Sequence, residues 1–323
     1  MAHLIDLSNN RENMAYVGQV PWHGLGQRLT ENSPIEKWII EAGFNWEVKR
    51  APVQFHADGF GLQGFENRYT LYRSDTGAGL GLVAGIYKPV QPKEVLEFYR
   101  DLTEAADFQL ETAGMLKGGA MYWALARTGR TMNLGGRDDV NGYLLLATAN
   151  DGTLATTAAF TSVRVVCNNT LTIAVNREEK AKTGIKIPHV CEFDPQAVKK
   201  ELGIVDGVWE QFEKEATDMS KATVSREEAL KFFLDTIYPK KQDFEKDKLP
   251  PTIGQLVNIF HNGVGQNTAA AKGTVWGLVN AVTRFVDHEK KSFSADAKLR
   301  SAWFGEGERV KQRAYEIALD MVA

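Results

Sequence analysis

Met121–Thr128 reads MYWALART and Tyr143–Ala149 reads YLLLATA, with the pair Gly135-Gly136 between them. Both runs are strand-sized, rich in aromatic and aliphatic residues, and bounded by turn formers. Outward from them, Gly81–Tyr87 is a further strand candidate, and Asn67–Arg73 (NRYTLYR) and Trp46–His56 (WEVKRAPVQFH) alternate as strands do. Glycine turns at Gly77–Gly81 and Gly118-Gly119 separate several of these segments. The pattern predicts a mainly antiparallel sheet.

Two helices are predicted to interrupt it. One spans Pro34–Ala42, with Ser33 as N-cap and Pro34 in the first position. The other spans Pro92–Ala106, with Val95, Leu96, Tyr99 and Leu102 on one face. Phe160–Val175 (FTSVRVVCNNTLTIAV) reads two ways. Its β-branched content suits a strand, yet Val163, Val166, Cys167, Thr170, Leu171 and Ala174 repeat at helical spacing, and we read it as helix.

Beyond residue 190 the signal is helical. Val198, Leu202, Val205, Trp209, Phe212, Ala216 and Met219 form a heptad-like seam behind Asp194 as cap. Ser225 with Glu228, and Thr252 with Gln255, read as capping boxes. The charged, proline-bounded stretch Pro239–Pro251 reads as a loop. Valines from Val275 to Val286 mark one later helix, and Val310, Ile317, Ala318 and Met321 a terminal one. The expected class is α+β: a core domain over 1–190 with a mainly antiparallel sheet and packed helices, and a helical region over 191–323.

The 323 residues carry 43% hydrophobic and 24% charged side chains, which excludes wholesale disorder. A formal charge of −3 argues against a basic DNA-coating protein. The N-terminus lacks the pattern of a signal peptide, and no apolar run reaches a spanning length of ~18 residues, so no membrane partner is expected. Two cysteines, Cys167 and Cys191, give no disulfide framework.

Dinucleotide, Walker, HExxH and G-x-S-x-G patterns do not occur. The histidines are isolated, so no catalytic residue, cofactor or metal is assigned. Pro21-Trp-His-Gly-Leu-Gly26 presents Trp22 and His23 on a tight turn, either as a ligand-contact loop or as a plug and a turn cap. Arg164, Asn168 and Asn169 make a polar face that suits a phosphate or base, or an internal hydrogen-bond network. Residues 113–190 hold nine basic and five acidic side chains, +4 within an acidic chain, with Arg127, Arg130 and Arg137 among them. This asymmetry points to a polyanionic partner.

Pro21–Gly26, Val163–Leu171, Trp276–His288 and Ser301–Gly307 together resemble the phage/plasmid-like proteins classed as domain of unknown function 932, over nearly the whole chain. That resemblance implies a mobile-element setting in the bacterial cytoplasm and no particular activity. A more distant, architectural resemblance is to single-strand annealing recombinases of the Rad52, Redβ and Erf kind. It implies an oligomer holding single-stranded nucleic acid.

The leading expectation is a non-enzymatic nucleic-acid-binding protein, contacting its ligand through Arg164, Asn168, Asn169, Arg127, Arg130, Arg137, Trp22 and His23, and assembling as a homo-oligomer. A protein-interaction module is the alternative. An enzyme with a site around His23, Cys167 and Asp151 is the third reading.

Overall fold

The computed structural model describes residues 5–18, 25–105, 108–164, 169–172, 184–202, 205–239, 249–292 and 295–323. It begins with β1 (Met14–Tyr16), β2 (Gln27–Arg28), α1 (Ile35–Glu41), β3 (Val48–Ala57), β4 (Gly61–Arg73) and β5 (Gly79–Ala84). Next come α2 (Pro92–Glu97), α3 (Arg100–Ala105), β6 (Gln109–Leu116), β7 (Met121–Leu134) and β8 (Asp138–Ala149). The last strands are β9 (Thr156–Arg164), β10 (Asn169–Thr172) and β11 (Ile185–Ile187). Helices then follow: α4 (Pro195–Leu202), α5 (Val205–Lys221), α6 (Arg226–Ile237), α7 (Pro251–Asn262), α8 (Val275–Arg284), α9 (Ala295–Phe304) and α10 (Glu306–Asp320). A π-turn over Phe285–Glu289 continues α8.

The fold is α+β, as the patterning predicts. The large sheet has the order β10-β9-β8-β7-β6-β1-β2, with β11 also on β9. Its β1–β6, β6–β7, β9–β10 and β9–β11 pairs are antiparallel, and β1–β2 is parallel. A second, antiparallel sheet has the order β3-β4-β5. No described helix is long and apolar enough to cross a membrane.

The chain gathers into two compact units. One comprises residues 1–129, 143–159 and 184–203, and the other 130–142, 160–183 and 204–323. In the first, Trp38, Phe44, Leu71, Phe98, Tyr99 and Tyr122 are fully buried. The Tyr99 hydroxyl reaches the carbonyls of Ala124 (2.9 Å) and Leu144 (3.0 Å), so this buried phenol stays hydrogen-bonded. In the second, α10 packs on α8, α9 and α6 around Phe212, Phe232, Phe233, Trp276 and Tyr315.

Local signals act where they are expected. The Asp194 carboxylate accepts from the amides of Gln196 (2.9 Å) and Ala197 (3.1 Å) at the start of α4. Ser225 and Glu228 close a capping box on α6. The seam from Val198 to Met219 is carried by α4 and α5, whose junction at residues 203–204 lies outside the described residues.

Four expectations are corrected. The single helix expected over Pro92–Ala106 is instead α2 and α3, with a turn at Phe98 and Tyr99 between them. Described residues of Phe160–Val175 form the β9–β10 hairpin, not a helix. Thr156–Ser162 is buried at every position, so the period-two signal of a strand is absent there, and the helical spacing is incidental. Ser33 does not cap α1, because its hydroxyl donates to the Thr30 carbonyl at 2.8 Å and Pro34 takes the cap position. Thr252 lies inside the first turn of α7, which starts at Pro251 behind an extended Pro250 with no side-chain cap.

Candidate functional site

The residues singled out by the sequence fall on different elements. Arg127 and Arg130 lie on β7, both half-buried, and Arg137 is exposed in the turn between β7 and β8. Arg164 ends β9 directly opposite Asn169 of β10 in the strand register. Trp22, His23, Cys167 and Asn168 lie outside the described residues.

The second unit brings three of the sequence motifs together. Strand β10, from Val163–Leu171, packs on α8 and α10. Helix α8 with its π-turn carries Trp276–His288, and α9 runs into α10 through Ser301–Gly307. Asp138, wholly buried at the start of β8, accepts from Trp276 Nε1 (3.4 Å) and Thr268 Oγ1 (3.3 Å). Asn280 Nδ2 donates to the Trp276 carbonyl at 2.8 Å.

Lys311 Nζ lies 2.9 Å from Asp287 Oδ1, with the two side chains 2% and 8% exposed. The Tyr315 hydroxyl donates to Glu215 Oε2 at 2.5 Å. Gly277 is required by a close approach, since a Cβ there would sit 2.0 Å from the Ala271 carbonyl oxygen. The motif residues therefore tie strand to helix. Lys311 is thus engaged in a buried ion pair that ties α10 to the π-turn after α8.

The first unit contains a polar centre that the sequence did not reveal. Arg73, 1% exposed, bonds Asp6, Asp75 (2.7 Å), Ser8 Oγ and the Gly118 carbonyl, and its guanidinium stacks 4.4 Å from the Trp46 ring. Burial alone would push the Asp6 carboxyl up, but the Ser8 and Arg73 hydrogen bonds and the Arg73 charge hold it below the ordinary aspartate value. The signal was the register: Arg73 shares a sheet face with Leu71, two residues away, which is fully buried.

His189 stacks on Tyr87 at 4.5 Å, and its ring nitrogens reach the carbonyls of Lys88 (3.0 Å) and Leu154 (3.2 Å). Asp151 meets Lys117 at 2.8 Å and accepts from Thr153. Burial pushes its carboxyl up, and these two partners bring it below the usual value. Asp151 is therefore a tethered carboxylate at neutral pH.

The same unit exposes an extended arm. From Ala51 to Thr70, along β3 and β4, no residue is buried. Phe60 is 80% exposed, Leu62 64%, Phe65 55% and Phe55 47%, and the Phe55 and Phe65 rings meet edge-on at 6.2 Å. Alternation identifies strands here but does not distinguish an inward face from a face without any covering.

Residues 79–303 match the family model described as Domain of unknown function (DUF932). No curated protein and no solved structure matches the chain.

Proposed function

The chain belongs to the family described as Domain of unknown function (DUF932), whose description states no activity, and we propose that it is a non-catalytic nucleic-acid-binding protein of a phage or plasmid, acting on single strands. The charge asymmetry carries this reading: residues 113–190 hold +4 in a chain of −3. Asp138 is buried, and Asp151 and Lys117 neutralise each other, so the remaining balance of the segment is eight basic against three acidic side chains. In the second unit, Arg130 and Arg137 lie on β7 and its turn, and Arg164 and Asn169 on the β9–β10 hairpin, where a phosphate backbone would be held. The resemblance of the motifs to phage and plasmid proteins supports the setting.

Fluorescence anisotropy of labelled single-stranded DNA across a salt series tests it. Each neutralised phosphate contributes a slope of about −0.7 to log K against log salt. Three to five contacts, matched to the local excess, give a slope of roughly −2 to −3.5. Arg137→Ala reduces it by about one contact, or ~0.7, with unchanged melting. Absence of binding at low salt refutes the proposal. It would leave the second reading, a protein-interaction module, which the exposed apolar arm favours.

A further inference from the structure

We propose that the β3–β4 arm is a self-association element, and that its occupant is the arm of a second copy of this chain, packed antiparallel about a twofold axis. The proposal is independent of nucleic-acid binding. A two-stranded hairpin on its own is marginal in water. Beyond Arg68–Thr70, which pair with β5, this one is two-stranded, and no residue from Ala51 to Thr70 is buried.

The apolar surface on it is of interface size. Phe55 and Phe65 share one face of the ribbon and Phe60 is at its tip, while Leu62, opposite His56, lies on the other face. With about 200 Å² for a fully exposed aromatic ring, the three phenylalanines present roughly 350 Å² at their observed exposures. A standard interface buries about 800 Å² per partner, rather more than half of it apolar. The arm therefore carries most of the apolar share of one side of a stable dimer. A nucleic-acid platform would need an excess of positive charge here, and the exposed charges are balanced, with Lys49, Arg50 and Arg68 against Glu47, Asp58 and Glu66.

Their placement selects the antiparallel arrangement. Lys49 is engaged by Glu47 at 3.6 Å; Arg50, over the Tyr69 ring at 5.0 Å, and Arg68 lie at the root of the arm. Asp58 is at the tip, beside the Ala57–Gly61 pair that closes the hairpin, and Glu66 is midway. Two arms side by side in opposite directions set the acidic tip of each against the basic root of the other. An isologous interface requires such a self-complementary patch.

The test is the solution mass of the full chain, by light scattering over a hundredfold concentration range, with melting as the control for folding. The wild type is expected to reach the mass of two protomers, and Phe55→Glu/Phe65→Glu that of one, with a folded melt. Asp58→Arg and Arg50→Glu are each expected to weaken self-association roughly ten- to thirtyfold, because each contact occurs twice per dimer and attraction becomes repulsion. An equimolar mixture of these two variants is expected to recover the two-protomer mass, because each tip again meets an opposite root. A wild type that stays at one protomer throughout overturns the proposal. So does an assembly whose mass is indifferent to the arm variants, or a mixture that fails to associate.

Discussion

Replacing Arg73 by methionine keeps most of the side-chain volume and removes the charge at the centre of the first unit. Asp6, 3% exposed, then loses its guanidinium partner, while Asp75, 27% exposed, can be hydrated. Breaking a buried ion pair from one side costs about 3–5 kcal/mol. The stacking on Trp46 adds about 0.5–2 kcal/mol, partly the same energy counted from another side, so a total near 4 kcal/mol is expected. For a body of about 150–250 residues each kcal/mol shifts Tm by roughly 2–4 °C, which puts the loss at roughly 8–16 °C.

Calorimetry or circular dichroism measures the shift, and Arg73→Met/Asp6→Asn is expected to recover more than half of it, because no buried charge then remains unpaired. The pH dependence follows from the carboxyl groups. Asp6 and Asp75 titrate below their ordinary range in the folded state. Their contribution is therefore present above the unfolded aspartate pKa and is lost as pH falls through the folded value. The gap between wild type and Arg73→Met narrows on acidification. A loss below about 1 kcal/mol, or a gap that widens in acid, would refute the assignment of Arg73 as the organising charge.

Glu111 is half-buried beside the Tyr143 hydroxyl (2.9 Å); desolvation raises its carboxyl pKa, and the hydroxyl and Arg127 only partly offset this. A raised carboxyl pKa means that its stabilising balance is complete below the unfolded value and declines as pH rises through the folded one. Glu111→Gln is accordingly expected to raise Tm at neutral pH, with the gain vanishing in acid; a variant less stable than wild type at pH 8 contradicts this. Gly277→Ala forces its Cβ onto the Ala271 carbonyl and is expected to cost at least about 1–3 kcal/mol, whereas Gly254→Ala on α7, where a Cβ meets nothing within 4 Å, is expected to gain up to ~1 kcal/mol. Equal melting of the two alanine variants would contradict the close approach.

Two of the predicted caps, whose cause is local, could be read from the chain alone, whereas Ser33 and Thr252 do not cap their helices. Ser225 and Glu228 are three residues apart and satisfy each other's backbone groups, so the start of α6 is a property of four consecutive residues. The same holds for Asp194 ahead of α4, and for the strand character of Met121–Thr128 and Tyr143–Ala149, where β-type side chains and glycine turns agree. Family membership was also legible, because it rests on short motifs in which residue order is the whole signal. Tertiary packing settled what depends on distant partners. Strand β9 pairs with β10, and Thr156–Ser162 of β9 is buried at every position; a strand buried on both sides carries no alternation to recognise. Arg73 is buried because Asp6, sixty-seven residues away, arrives to pair with it. The phenylalanines of the arm are exposed because no other part of the described residues folds over them, and a hydrophobic side chain has the same chemistry whether or not a neighbour comes to cover it.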